Sequence, residues 1–211
     1  YLLVPGFNGQ EEKANKFAYQ INQLIKELNK QNPCGWIIDL RHNGGGNMWP
    51  MIAGLIPFLQ KGKLGSFIDS SGREKNWYYE KDKVLEGKRV ETTLPPDALL
   101  TIPNRPYVAI LIGPETASAA EAVAIAFKTR PHTRFFGQKT AGLATANQYF
   151  LLKDGAELLL TVAYFADRNK NIYKTGLLPD ELVVDEKDKE DSSIKQATMW
   201  LLEKSKCKKE R

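Results

Sequence analysis

The stretch Gly113-Pro114-Glu115-Thr116-Ala117-Ser118-Ala119-Ala120-Glu121 decides the fold, because an apolar strand ends there and a helix begins. Residues 107–112, directly before it, form an apolar run rich in β-branched side chains, which is typical of a strand buried on both faces. Gly113-Pro114 interrupts this run, and residues 117–128 have the composition and spacing of a helix. The sequence therefore predicts a strand, a tight turn and a helix, with Ser118 at the helix N-terminus.

Ser118 has two interpretations at this position. Free backbone N–H groups and the positive end of the dipole lie at a helix N-terminus, so a hydroxyl there can act as a nucleophile whose oxyanion meets ready donors. Alternatively, Thr116 or Ser118 only caps the helix, and Glu121, three residues after Ser118, completes a capping box. This stretch alone does not decide between the two.

The first forty residues indicate a βαβ unit. Residues 1–4 read as a strand, and residues 11–29 carry apolar side chains on one stripe of a 3.6-residue period, which predicts a helix. A second buried strand follows at residues 36–40. A strand, a helix and a strand at this spacing predict two parallel strands joined by a right-handed crossover.

The second strand leads into Arg41-His42-Asn43-Gly44-Gly45-Gly46-Asn47. Three consecutive glycines suit a backbone that turns tightly and comes close to another group, although a flexible connection is the alternative. A phosphate-binding loop is disfavoured, because the glycines are not followed by Lys and Ser or Thr. We expect Asp39 and Arg41, which flank the strand end, to pair and hold this loop.

Residues from about 61 to 104 differ in character and predict a β-rich insertion between two core βα units. Trp77 and its neighbours either pack this insertion down or line a substrate groove. Residues 148–152 and 157–164, joined across an Asp-Gly turn, predict a hairpin, and residues 192–204 a final helix. The fold class is therefore α/β, and we expect one domain over residues 1–211.

The end of the chain contributes two further expectations. The final helix, residues 192–204, offers Ser192 or Ser193 as its N-cap. The basic tail, residues 204–211, is typical of a solvated end rather than of a nucleic-acid-binding arm.

Composition and charge narrow the function classes. The 211 residues have a net charge of +5, ordinary apolar and charged fractions, and no apolar run of membrane-spanning length. The two cysteines, Cys34 and Cys207, do not have metal-ligand spacing, so we expect no metal and no cofactor. Tyr1 begins in the middle of a predicted strand, and we therefore expect the natural protein to continue upstream.

Four segments together resemble the catalytic core of the S41 family of serine peptidases, which contains the C-terminal processing (tail-specific) proteases and their tricorn-like relatives. In family order, they are Asp39-Leu40-Arg41-His42-Asn43-Gly44-Gly45-Gly46, Thr116-Ala117-Ser118-Ala119-Ala120-Glu121, Gly137-Gln138-Lys139-Thr140-Ala141-Gly142 and Gly176-Leu177-Leu178-Pro179-Asp180. Asn47-Met48-Trp49-Pro50 is similar to the bacterial branch that includes nisin-resistance proteins.

This resemblance implies a crotonase/ClpP-like α/β core with Ser118 as the nucleophile. It also implies an oxyanion hole made by the backbone of Gly44 and Gly45 and by the N–H of Ala119. The implied activity is a serine endopeptidase that acts on a peptide or protein substrate, with no nucleic acid involved. The implied location is extracytoplasmic or at the cell surface of a bacterium.

Two other functions stay open on the sequence. One is a peptide-binding pseudoprotease that keeps the Ser118 loop but has no general base. The other is a crotonase-type acyl-CoA enzyme, since that fold has the same two-loop oxyanion hole. The acyl-CoA enzyme would need a catalytic carboxylate on the helix that follows the glycine loop, predicted over residues 48–59, and the sequence has none there.

The general base is the missing part of the pattern. In the processing-protease branch it is a lysine 25 residues after the serine, and here that position is Leu143. Lys139 is nearby in sequence and is a possible base. In the tricorn-like branch a glutamate precedes the Gly-x-x-Pro-Asp turn, but the matching position falls near Tyr173.

The chain has two histidines. His42, in the glycine loop, is a second possible base, whereas His132 reads as an exposed loop residue. Some S41 branches carry a histidine shortly before the strand that residues 1–4 resemble. We therefore expect the base to lie upstream of Tyr1, which would leave the chain catalytically incomplete.

Overall fold

The computed structural model describes residues 1–98, 100, 102, 105–185 and 190–205. The basic end of the chain, beyond residue 205, lies outside them. The described residues form eleven strands and four α-helices. In chain order these elements are β1 (Leu2–Leu3), α1 (Glu11–Asn29), β2 (Gly35–Asp39), α2 (Met48–Gly54), β3 (Gly62–Asp69), β4 (Glu74–Glu80), β5 (Lys83–Glu86), β6 (Arg89–Thr93), β7 (Tyr107–Ile112), α3 (Ala119–Lys128), β8 (Thr133–Gly137), β9 (Thr145–Leu151), β10 (Glu157–Asp167), β11 (Glu181–Leu182) and α4 (Ser192–Lys204).

A five-stranded parallel sheet with the order β1-β2-β7-β8-β11 forms the core, as the βαβ pattern predicts. One face of this sheet packs against α1, α2 and α3 in the larger apolar cluster. The other face packs against α4, where Ala197 and Leu201 meet Ile37 and Leu111. Because both faces are covered, the central strands β2 and β7 are apolar along most of their length and do not alternate. The predicted α/β fold class is confirmed.

The second sheet is antiparallel and has the order β6-β5-β4-β3-β10-β9. It joins the strands of the predicted insertion to the C-terminal hairpin, because β3 pairs with β10 and sets Phe67 opposite Phe165. Trp77 is fully buried and stacks edge-on against both of these rings. The interpretation that Trp77 packs the segment down is confirmed, and the groove interpretation is wrong for this residue.

Helix α2 is shorter than predicted. It begins after Asn47, whose side chain accepts a hydrogen bond from the N–H of Trp49, and it ends at Gly54 rather than at residue 59. Pro57 explains the early end, because proline has no N–H to donate and disfavours the helical conformation of the residue before it. Residues 55–59 continue as buried turns.

The N-cap of α4 is Asp191, not Ser192 or Ser193. The Asp191 carboxylate accepts a hydrogen bond of 2.8 Å from the N–H of Ile194. The hydroxyl of Ser193 instead donates to Asp185 (2.7 Å), so it is engaged outside the helix. Among the described residues, no helix is long and apolar enough to cross a membrane.

Arg41 fixes the end of β2 against the start of α4. Its guanidinium donates to Asp39 (2.7 Å), Asp185 (2.9 Å) and Asp191 (2.7 Å), so the predicted pair is part of a larger network. Burial raises the pKa of Asp39, but hydrogen bonds from Arg41 and from the hydroxyl of Tyr1 outweigh it, and the net pKa is lowered. The pKa of Asp191 is lowered in the same way, against its burial, by Arg41 and by backbone N–H groups.

We predict that Arg41→Met lowers the free energy of unfolding by about 3 kcal/mol at neutral pH, because it leaves the buried Asp39 carboxylate without its cation. The two aspartates have pKa values below their ordinary 3.8, so their contribution is complete above that pH and is lost as the pH falls through the lowered values. Urea unfolding of the wild type and variant should therefore converge in acid. Arg41→Lys, which keeps the charge without the fork geometry, should lie between them; a constant difference down to pH 2 would contradict this account.

Candidate active site

Ser118 occupies a strained position at the start of α3. Its backbone has φ 52° and ψ −114°, a conformation that non-glycine residues rarely adopt and that clusters at functional sites. The N–H of Ser118 donates to Glu121 (2.9 Å), and the N–H of Ala117 donates to the carbonyl of Asn43 (3.1 Å). The sharp turn therefore holds a serine between the parallel sheet and the first turn of a helix.

Glu121 is fully buried and binds much more than the helix N-terminus. Its carboxylate accepts hydrogen bonds from the hydroxyl of Thr140 (2.6 Å), from the N–H of Gly142 (3.1 Å) and from the N–H of Leu143 (2.8 Å), besides that of Ser118. The same Thr140 oxygen accepts the N–H of Leu177 (2.8 Å). Three of the four segments that carry the family resemblance thus meet at one carboxylate.

This role of Glu121 extends beyond the capping box that the sequence predicts. A signal was available, because Glu121 is the only charged residue between Ala117 and Phe127, in a stretch that is otherwise made of small and apolar residues. A carboxylate in such surroundings is buried and needs donors from elsewhere.

The fourth segment, the glycine loop, lies directly against Ser118. A Cβ on Gly45 would lie 2.9 Å from the Cβ of Ser118 and 2.8 Å from the carbonyl oxygen of Ala117. Gly45 also has φ +105°, in the region that favours glycine. The glycine loop and the serine turn therefore lie in direct contact at Gly45 and Ser118.

The N–H of Gly45 is not free to bind an oxyanion in this conformation, contrary to the sequence expectation. It donates to the side-chain oxygen of Asn43 (3.0 Å), and Asn43 is itself buried and donates to the carbonyl of Val4 (3.0 Å). Gly44 is exposed, and no atom would lie within 4 Å of a Cβ at this position. The N–H of Ala119 is in the first turn of α3, where N–H groups have no partner within the helix.

Neither candidate base within the chain is hydrogen-bonded to Ser118 in the part that the structure describes. His42 is 72% exposed, and its Nδ1 lies 3.0 Å from the equally exposed carboxylate of Glu115. Lys139 is exposed as well. His132 is an exposed loop residue, as predicted, with its Nδ1 3.0 Å from the carbonyl of Arg105.

Leu143 and Tyr173, which stand at or near the positions that the family resemblance assigns to a base and to an acid, have clear places in the structure. One oxygen of Glu121 accepts the N–H groups of both Ser118 and Leu143, so these two nitrogens are less than about 6 Å apart. Leu143 therefore stands beside the serine, with 56% of its surface exposed. The Tyr173 hydroxyl donates to Asp167 (2.9 Å), and burial raises its pKa.

Two further features concern a metal site and the acyl-CoA alternative. Within the described ranges, no group of three or more His, Cys, Asp or Glu side chains could hold a metal ion. Helix α2, which follows the glycine loop, carries no carboxylate of the kind that an acyl-CoA enzyme of the crotonase type would need.

The α/β core thus places a strained serine at a helix N-terminus directly against a glycine-rich loop. The model of Peptidase family S41 matches residues 1–183, and the chain belongs to this family.

Two curated relatives illustrate the range of the family. The chain is 35% identical over 173 residues to a nisin-resistance protein of Lactococcus lactis subsp. lactis, which covers 82% of the chain and 52% of the relative. It is 27% identical over 165 residues to a carboxyl-terminal-processing protease of Synechocystis, covering 78% of the chain and 34% of the relative. The chain thus spans about half of the first relative and about a third of the second.

Solved structures show the same fold. A lipoprotein from Streptococcus agalactiae superimposes with a TM-score of 0.71 at 29% identity, over 95% of the chain and 65% of that structure. The photosystem II D1 C-terminal processing protease superimposes with a TM-score of 0.63 at 24% identity, over 86% of the chain and 41% of that structure.

We predict that Gly45→Ala destabilises the protein by about 3 kcal/mol, because the new Cβ would overlap Ala117 and Ser118 at a positive φ. Gly44→Ala, one residue earlier with open space around it, should change stability by less than about 0.5 kcal/mol. Thermal and urea unfolding of the two variants would check this. Equal losses at both positions would mean that the two loops are not packed as described.

We also predict that Glu121→Gln lowers the free energy of unfolding by about 3 kcal/mol. The amide that replaces one carboxylate oxygen is a donor and would face N–H groups that then lose their acceptor. Glu115→Gln is the matched control, since that carboxylate is 72% exposed. Urea midpoints of the two variants give the comparison, and a Glu121→Gln midpoint equal to that of the control would refute the role given to Glu121.

Proposed function

We propose that this chain is the catalytic core of a serine endopeptidase in which Ser118 is the nucleophile. The observation that carries the proposal is the strained Ser118 backbone, held by Glu121 and facing Gly45 across the two loops. Such strain persists only where the surrounding structure enforces it, and a simple helix cap does not need it. Membership of Peptidase family S41 supports peptide-bond hydrolysis as the reaction.

In the proposed reaction the Ser118 hydroxyl attacks the carbonyl carbon of a peptide bond, and a base takes up the hydroxyl proton. The resulting oxyanion accepts hydrogen bonds from the N–H groups of Ala119 and Gly44, near the positive end of the α3 dipole. Loss of one such donor typically raises the barrier by roughly 3 kcal/mol. As the intermediate collapses, the C–N bond breaks and the protonated base returns its proton to the leaving amine, which leaves an acyl group on Ser118 that water then hydrolyses.

The general base in this proposal lies upstream of Tyr1. One contact and one exposure support it: His42 Nδ1 lies 3.0 Å from the Glu115 carboxylate, and Lys139 is exposed. Leu143, beside Ser118 at the place of the lysine in processing proteases, has no proton-accepting group. A base from another part of the protein would have to approach the serine from the open side of these loops.

The substrate in this proposal is a peptide or protein segment. The name of the carboxyl-terminal-processing relative supports a C-terminal segment as the substrate of this chain. The nisin-resistance relative and the lipoprotein structure favour an extracytoplasmic or cell-surface location.

Labelling with a fluorophosphonate probe tests the nucleophile and the base together. We expect a form of the protein extended upstream of Tyr1 to be labelled, and Ser118→Ala to abolish that labelling. Ser71→Ala, in an exposed hairpin turn, is the matched control and should be labelled at the wild-type rate. His42→Ala and Lys139→Ala should change the rate by less than about threefold, since a true base contributes at least about 10².

The other outcomes separate the alternatives. If the 211-residue chain itself is labelled and His42→Ala abolishes this, His42 is the base and the upstream assignment is wrong. If no form is labelled although peptides still bind, the protein is a peptide-binding pseudoprotease.

A further inference from the structure

Helix α4 lies along strand β2 in the opposite direction. A Cβ on Gly35, the first residue of β2, would lie 2.7 Å from Cδ2 of Leu201, near the end of α4. At the other end, Arg41, two residues after β2, donates to the carboxylate of Asp191, the N-cap of α4 (2.7 Å). The start of the strand is therefore next to the end of the helix, and the end of the strand is next to its start.

The two ends of α4 are held in different ways. At the N-terminal end, Arg41 binds both Asp191 and Asp185, which is a network of charged hydrogen bonds to the sheet. At the C-terminal end, the polar contacts that the structure describes stay within the helix, from Lys204 to Glu203 and from Ser205 to Leu201. Within the described residues, the last turn therefore has no counterpart of the Arg41 network.

Cys34 lies beside this second end of the helix. It directly precedes Gly35, and it is disulfide-bonded. Cys34 and Ser205, the C-cap of α4, line the same hollow at the start of β2. The sequence has one other cysteine, Cys207, which lies outside the described residues. Because two residues of chain span about 7 Å at most and a bridge joins Cα atoms about 4.4–6.8 Å apart, Cys207 is within reach of Cys34.

We propose that Cys34 forms a structural disulfide with Cys207, and that this bridge clamps the C-terminal end of α4 to the start of β2. The Arg41 network holds the opposite end of the helix, so α4 is fixed on the sheet at both ends. The closed loop runs from residue 34 to residue 207, and a bridge across a long loop restricts the unfolded chain strongly. The proposal does not depend on the chemistry of Ser118.

Formation of this bridge is an oxidation by thiol–disulfide exchange. The two S–H bonds break and one S–S bond forms, while two electrons and two protons pass to an external disulfide, which is reduced to two thiols. Such bridges persist in oxidising surroundings, including the cell surface. The proposed bridge therefore agrees with the extracytoplasmic or cell-surface location proposed above. Cys34 is exposed, so a reductant can reach the bond.

Peptide mapping of the full natural protein, with any chain that lies outside the 211 residues, identifies the partner of Cys34. The protein is equilibrated with oxidised glutathione, its remaining thiols are alkylated, and it is digested with trypsin. We expect residues 31–41, which contain Cys34, to be joined to residues 207–208, and dithiothreitol to separate the two peptides.

Three mapping results would overturn the proposal. Cys34 could be alkylated or carry glutathione, which would mean that no bridge forms. It could be joined to Cys34 or Cys207 of a second copy, which mixing isotope-labelled and unlabelled protein would reveal. It could also be joined to a cysteine elsewhere in the natural protein.

Amide hydrogen exchange on the same full protein tests the clamp. We expect dithiothreitol to accelerate exchange at residues 201–205 by about tenfold or more, and at residues 194–196, beside the Arg41 network, by less than about threefold. Cys34→Ser and Cys207→Ser should each reproduce this acceleration without reductant, and the double variant should add nothing, because all three lack the same bond.

Met199→Gln, at an exposed position of the same helix, is the matched control and should keep both the slow exchange and the response to dithiothreitol. Equal acceleration at the two ends of α4 would contradict a local clamp. Unchanged exchange after reduction, or a Cys34→Ser variant that still responds to dithiothreitol at residues 201–205, would also refute it.

Discussion

One buried carboxylate connects the loops of the candidate active site. Glu121 accepts donors from its own helix N-terminus and from the segment that follows β8, and through Thr140 it reaches Leu177 as well. Removing a carboxylate from water costs several kcal/mol unless hydrogen bonds replace the lost hydration. Burial of the Glu121 carboxylate is therefore favourable only when all these donor segments are in place. The carboxylate in turn fixes the position of each segment that donates to it. The geometry of Ser118 is in this sense a property of the whole core.

The second constraint is steric. Gly45 approaches Ser118 and Ala117 so closely that even a methyl group would not fit, and Asn43 fixes the loop by hydrogen bonds to Val4 and to the Gly45 N–H. Both loops leave the carboxyl ends of neighbouring parallel strands, β2 and β7, where α/β sheets generally form their sites. The glycine at position 45 is thus explained by close packing against the serine turn, whereas Gly46 packs against Phe7 and Gly44 has open space around it.

The helices and strands that depend on the spacing of nearby apolar residues could be predicted from the sequence. Helix α1 has the predicted bounds because its apolar stripe is regular, and the parallel core follows from the apolar runs of β2 and β7. Long-range partners were not predictable in this way, and nothing in the order of residues shows that β3 pairs with β10. Two local contacts were also missed, because Asp191 competes with Ser192 and Ser193 to cap α4, and Asn43 takes up the Gly45 N–H. Each of these depends on which groups compete for a donor once the chain has folded.

The position of Leu143 links the candidate site to the hairpin formed by β9 and β10. Its N–H is bound to Glu121 next to Ser118, and its carbonyl accepts the N–H of Thr145, the first residue of β9 (2.7 Å). Ala144, between them, is fully buried, and its carbonyl accepts the N–H of Phe165 in β10 (2.9 Å). Both strands are therefore held within two residues of the backbone that Glu121 binds, so the buried carboxylate that fixes the Ser118 turn also fixes the place where the hairpin leaves the core.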